Sequence, residues 1–209
     1  MKHFTKMRST TTMLLTLCFL LFSAIGFSQT VVTKTYSAPS SVSVDGCGSY
    51  CTIAGIPGVT FSASDFTAGA CQVTDVNVNI VWAKTDGTCT APGTANSFHS
   101  ETNFRIDGPT GNNVVLVQPG TYTGTATMST VSTTFNQGAP IVGGATPFSG
   151  TFSPNNGNLN TFNGTNPFGT WRLKPGDTGG GDPLCIISYS VTVTVSTGID
   201  TDGDGTCDA

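Results

Sequence analysis

The chain reads as an all-β protein, an antiparallel jelly-roll β-sandwich, on three observations. Helix formers are scarce: glutamate occurs once, at Glu101, while threonine, serine, asparagine and glycine abound. Apolar residues alternate with polar ones in short runs instead of recurring every third or fourth position. Turn clusters such as GPTGNN and PNNGN separate those runs. Short strands with frequent turns are the pattern of two packed antiparallel sheets, and no heptad or helical stripe competes with it.

Residues 1–28 have the composition of a secretory signal peptide. Lys2, Lys6 and Arg8 supply a positive start and Met13–Phe27 an apolar run. Gly26 and Ser28 are small residues at the positions that precede a cut before Gln29. The apolar run is shorter than the roughly 20 residues that span a bilayer, and no later stretch is apolar enough for a membrane span. The expected location is secreted or at the cell surface. Without the leader, five Lys and Arg face twelve Asp and Glu. An acidic chain with no basic cluster is not built to neutralise nucleic-acid phosphates. The length that remains suffices for one domain with its own core.

Residues 29–54, with APSS and DGCGSYC, form an N-terminal arm or an extra strand. Residues 55–196 are the sandwich. In VTDVNVNIVW, Val76, Val78, Ile80 and Trp82 share one face while Asp75, Asn77 and Asn79 share the other. After a loop, NFRID turns Phe104 and Ile106 in and Arg105 and Asp107 out, and VVLV follows the turn cluster. Thr121–Phe135 is weakly apolar, strand or loop, and Gly150–Phe152 is a short strand.

In NPFGTWRLKPGDTGGGD, Trp171 and Leu173 stand two apart, so both point into a core. PGDTGGGD is then a hairpin connection into the last strand. There Ile187, Tyr189, Val191, Val193 and Val195 face one way, and Ser188, Ser190, Thr192 and Thr194 the other. A phosphate-cradling glycine loop needs a helix behind it to aim N–H groups at the ligand. Here a strand follows.

Cys18 leaves with the leader, and Cys47, Cys51, Cys71, Cys89, Cys185 and Cys207 remain. In an exported chain they read as disulfides of open connectivity. The Cys47–Cys51 spacing could be half a zinc site, but no second close Cys or His pair completes four ligands.

No catalytic residues are expected. A Ser–His–Asp triad would have to use His99, the one histidine after the leader, and no GxSxG turn accompanies it. Asp177 and Asp182 are the nearest carboxylate pair for glycoside hydrolysis. They bracket a glycine turn, however, where aspartate supports the turn by accepting local N–H bonds. Tyr122 and Phe168 are the aromatics that could face a sugar, though core or turn packing accounts for each.

Residues 197–209 carry a calcium pattern. In GIDTDGDGTCDA, Asp200, Asp202 and Asp204 alternate, Gly205 allows the sharp turn, Thr206 offers a carbonyl and Asp208 a further carboxylate. Hard oxygens at that spacing wrap one ion, so calcium is the expected cofactor. The set stops short of a full loop, so binding should be weak. In Asp107 and Asp177 the sandwich holds the other acids that could take a cation.

From Gly55 to Val195 the chain resembles the P domain, or Homo B domain, that follows the catalytic domain of kexin- and furin-like subtilisin proteases and recurs in secreted bacterial proteins. The matching segments are VTDVNVNIVW, HSETNFRIDGPTGNNVVLV, STTFNQGAP, PFSGTFSPNNGNLNTFNG and NPFGTWRLKPGDTGGGDPLCIISYSVTV, in the family's order. It departs from the pattern at Asn103-Phe104, where the family has Asp-Leu, and at Asn136-Gln137, where it has two aspartates. The tail resembles the opening of a thrombospondin type 3 repeat, which carries over to Asp200, Asp202, Asp204, Cys207 and Asp208. The resemblance implies a jelly-roll module that does no catalysis and accompanies other domains. The reading is therefore a secreted or cell-surface accessory or adhesion module, N-terminal in a larger exported protein. Its expected partners are the polypeptide beyond Ala209 and a surface polysaccharide or protein. The alternative is the accessory P domain of an exported subtilisin-like serine endopeptidase whose catalytic domain lies outside this chain.

Overall fold

Period-two alternation builds most of the molecule. A computed structural model describes residues 29–66 and 70–198. The leader and the calcium-pattern tail, Asp200 to Asp208, lie outside the described residues. Nine strands follow in order: β1 Gln29–Val44, β2 Val59–Phe61, β3 Ala70–Lys84, β4 Thr102–Asp107, β5 Asn113–Val117, β6 Val131–Phe135, β7 Gly150–Phe152, β8 Gly169–Asp177 and β9 Leu184–Thr197. One sheet runs β1-β9-β3-β6-β7 and the other β2-β8-β4-β5. Successive strands cross repeatedly between the sheets, which makes a jelly roll with β7 added at one edge. All strand pairings are antiparallel except β6 with β7.

The core lies between the sheets. Val76, Val78, Ile80 and Trp82 from β3 are at most 1% exposed, and Phe104 and Ile106 from β4 are fully buried. Both indoles bring their N–H to an acceptor, as buried polar groups require. Trp82 Nε1 donates to Thr133 Oγ1 at 3.1 Å and Trp171 Nε1 to the Pro167 carbonyl at 3.3 Å. Trp171 meets Phe162 edge-on with ring centroids 4.8 Å apart and Phe61 at 6.4 Å. It is a core anchor and Leu173 lies beside it, as the spacing predicts.

Of the two readings of the segment from Gln29, an arm or an extra strand, the strand is the one formed, 16 residues long. It is an edge strand hydrogen-bonded to β9, with its pairing interrupted between Ser37 and Val42. Pro39 lies in that interruption, where no ladder N–H is needed. Two expectations change. In β9 the buried residue is Ile186 and not Ile187, because a bulge shifts the register where Val81 pairs Ser188 and Trp82 pairs Ile186. PGDTGGGD is no hairpin, since Pro175–Asp177 complete β8 in one sheet and the rest crosses to β9 in the other.

Among the described residues two disulfides are formed, Cys47–Cys51 and Cys89–Cys185, so the first pair is a cystine and not half a zinc site. The Cys71 side chain and Cys207 lie outside what is described.

Candidate functional site

The inward row of β3 does not stop at Trp82. Lys84, two residues on, faces the same way and is fully buried. The inward row of β8, Trp171, Leu173 and Pro175, continues likewise to Asp177, also fully buried. The two rows end at the same end of the sandwich. Glu101 arrives there from a one-turn 3-10 helix, His99–Glu101, just before β4, and Asp182 from the crossover between β8 and β9.

Lys84 Nζ therefore sits among three carboxylates. It lies 2.9 Å from Asp177 Oδ2, 3.2 Å from Glu101 Oε2 and 3.2 Å from Asp182 Oδ2, and it also donates to the Asp182 backbone carbonyl. Asp177 Oδ2 accepts a further bond from the Leu184 N–H at 3.2 Å. Asp177 Oδ1 is buried without a well-formed hydrogen bond, while the Gly179 backbone N–H near the carboxylate favours its charged form. Asp182 Oδ2 accepts the distant Phe98 N–H, so neither aspartate serves the turn alone, as the sequence suggested. Around them, Asn103 accepts the Tyr50 N–H at 2.9 Å and donates to the Glu101 carbonyl at 3.1 Å. The Cys47–Cys51 loop docks on the end of β8 through Gly48 N to Asp177 O at 2.9 Å and Cys51 N to Pro175 O at 2.7 Å. Gly179 is required by close approach: a Cβ there would lie 1.9 Å from Glu101 Oε1.

The electrostatics follow from burying one cation with three acids. Burial pushes the Asp177 carboxyl up, and the Asp182 charge adds to this against the opposing pull of Lys84. Glu101 is also raised, by burial first and further by Asp182, with Lys84 opposing. Burial draws Lys84 down, but its hydrogen bond to Asp177 and the charges of Asp177 and Asp182 outweigh that and leave it raised. Protons are thus held more tightly than usual by the lysine and by two of the acids.

The other candidates are occupied by structure. His99 is fully buried, with Nε2 at the Ala126 carbonyl and Nδ1 3.3 Å from the Ala145 carbonyl. It faces no nucleophile. Tyr122 is 2% exposed against Trp82, and burial raises its hydroxyl. Phe168 is half-buried on Phe66. Asp107 is held by Arg105 at 2.6 and 3.1 Å. Among the described residues no three His, Cys, Asp or Glu side chains are arranged to hold a metal ion. An open groove of about 370 Å³ runs beside Cys89–Cys185 and is lined by Thr85, Thr127, Thr130 and Ile187, far from any titratable cluster in chemical character. No described helix is long and apolar enough to cross a membrane.

Sequence reasoning named Asp177, Asp182 and Glu101 but passed over Lys84. Extending the Val76–Trp82 row by one inward position would have found it.

No family model and no curated protein matches the sequence. Two solved structures are among the several chains similar to it. One is the serine protease of Aeromonas sobria in complex with the chaperone ORF2, 13% identical at a TM-score of 0.37, covering 86% of this chain and 29% of that one. The other is the serine protease of Aeromonas sobria, 14% identical at 0.35, covering 87% and 30%. The chain thus spans less than a third of the length of these proteins, at a similarity too low to carry an argument about fold or activity.

Proposed function

We propose that the chain is a secreted, non-catalytic β-sandwich, an accessory or adhesion module of a larger exported protein. The observation that carries this is the fate of its reactive side chains. His99 has both ring nitrogens at backbone carbonyls, and the Lys84 ammonium ties up a carboxylate oxygen of each of Asp177, Asp182 and Glu101, of which only Glu101 reaches the surface in part. A general base must reach the substrate proton directly or through one water, and groups buried in this way do not. Two disulfides suit an oxidising compartment, in keeping with the leader read from Lys2 to Ser28. Asp200, Asp202, Asp204, Thr206 and Asp208 hold calcium in the tail and lead on to further domains.

The alternative, an accessory P domain of a subtilisin-like serine endopeptidase, rests on the order of the motifs from VTDVNVNIVW to the last strand. A gene that runs past residue 209 into a subtilisin-like domain favours it; one that runs into further aspartate-rich repeats favours the adhesion module. The assay for the first reading is direct. Purified folded protein should turn over no peptide, ester or glycoside substrate. Turnover that disappears in a correctly folded His99→Ala variant would overturn it.

A further inference from the structure

We propose that Lys84 and Asp177 condense into an intramolecular isopeptide bond, a covalent cross-link between the two sheets that the chain forms by itself. The argument starts from placement. The nucleophile and the carboxyl come from strands in different sheets, β3 and β8, and both side chains are fully buried with Nζ 2.9 Å from Oδ2. Held in that way, a bimolecular reaction becomes unimolecular, with effective concentrations that reach on the order of 10⁵ M or more. In water an amine and an acid stay ionised and hydrated, and solvent drives the amide back toward hydrolysis. Here both side chains are fully buried, so the ions lose their hydration and the amide is shielded from bulk water.

Asp177 is singled out among the three acids by its hydrogen bonds. Oδ2 already accepts from the Leu184 N–H at 3.2 Å, in the position of a donor to the oxyanion and then to the amide carbonyl. Oδ1 is buried with no well-formed hydrogen bond to retain it and is the oxygen that departs. Asp182 and Glu101 both lie farther from Nζ, at 3.2 Å, and are less deeply buried, at 8% and 23%. Glu101 Oε2, 3.2 Å from Nζ, is placed to carry protons.

The balance closes without a co-reactant. An ammonium and a carboxylate give an amide and one water. One Nζ proton passes to the Asp177 carboxyl in contact with it, which leaves a neutral amine beside a neutral acid, and the amine attacks Cγ. Glu101 Oε2 takes the surplus proton of the attacking nitrogen and gives it to the departing oxygen as the tetrahedral centre collapses and the Cγ–Oδ1 bond breaks. Of the three Nζ protons one stays on the amide nitrogen and two leave with Oδ1 as water. Nothing is oxidised or reduced. The step also removes a charge pair from an interior where ions are costly, and the raised carboxyls of Asp177 and Glu101 ease the proton transfers.

Intact-mass spectrometry of the full chain, after export and reduction of the cystines, tests this. The wild-type protein should be lighter than its sequence by one water, and digestion should yield a branched peptide that joins the Lys84 and Asp177 segments. Lys84→Arg, whose guanidinium does not acylate, should have full mass. Glu101→Gln, folded by circular dichroism, should also have full mass. Cyclisation of Gln29 removes ammonia and maps to the first peptide, so it is distinguishable. Wild-type protein at full mass overturns the proposal even if no variant folds. So does a water loss that persists in Lys84→Arg or that hydroxylamine cleaves as a succinimide at Asp177.

Discussion

Lys84, the last residue of β3, meets Asp177, the last residue of β8, across the interior of the sandwich, with Nζ 2.9 Å from Oδ2. Two apolar rows thus end in a polar joint between sheets whose contact is elsewhere largely hydrophobic, with the Tyr189 hydroxyl on the Trp171 carbonyl a further polar link. Burial of an ion pair is not in itself stabilising, but removal of one partner strands the other in a dry site. The joint therefore makes the closed arrangement specific, and its loss should be felt throughout the fold.

Trp171 tests the hydrophobic part of the account. Its ring is fully buried between Phe61 and Phe162. Trp171→Ala should cost about 3–5 kcal/mol, measured by urea denaturation. A variant that unfolds at the wild-type midpoint would place the ring outside the core.

The two cystines should differ in weight. Cys89–Cys185 closes a separation of 96 residues and Cys47–Cys51 only 4. Chain entropy of the unfolded state then assigns the long link roughly 4–5 kcal/mol and the short one roughly 2. Paired Cys→Ser variants, compared by denaturation, should show that order. Equal losses would mean that local packing, and not loop closure, sets both.

Acid should remove one surface tie between β1 and the segment after β2 in a defined window. The Lys34 side chain hydrogen-bonds Asp65, and with the Ser62 N–H and hydroxyl it lowers the Asp65 carboxyl to about 2. A carboxyl depressed on folding contributes stability above its unfolded pKa, near 4, that is lost as pH falls through the folded value. The contribution is thus present at pH 5 and disappears between about pH 4 and 2. Carbon-detected NMR should place the Asp65 midpoint near 2, and Asp65→Asn should flatten that part of the acid limb. A midpoint near 4 would contradict the pairing.

The tail gives a metal prediction. Asp200, Asp202, Asp204, the Thr206 carbonyl and Asp208 supply fewer oxygens than the 6–8 that calcium prefers, so affinity in this chain should lie near the millimolar range, roughly 10⁻³ M. Calorimetry should detect weak binding that Asp202→Ala abolishes. Tight binding untouched by that variant would place the ion elsewhere.

Much of this was legible in the sequence, and the parts that were not share a cause. Alternation at Val76–Trp82, Phe104–Ile106 and Trp171–Leu173 identified strands and their inner faces, because one residue's side depends only on its neighbour's. The same rule, carried one position further, points Lys84 and Asp177 inward. Charged residues are taken as surface unless a partner is visible, and the partner comes from another sheet. Ile187 was misplaced because a bulge adds a residue that composition does not mark. The PGDTGGGD crossover looked like a hairpin because turn residues mark a bend but not the sheet to which the chain goes next.

The most direct test of the account is the double-mutant cycle between Lys84 and Asp177, read by chemical denaturation at neutral pH. Whether the pair is ionic or condensed to the amide, Lys84→Met and Asp177→Ala should each lose at least about 3 kcal/mol, and the double variant should fall short of their sum by more than about 1 kcal/mol. Single variants within about 0.5 kcal/mol of wild type, the range of ordinary surface substitutions, would show that the two residues do not join the sheets.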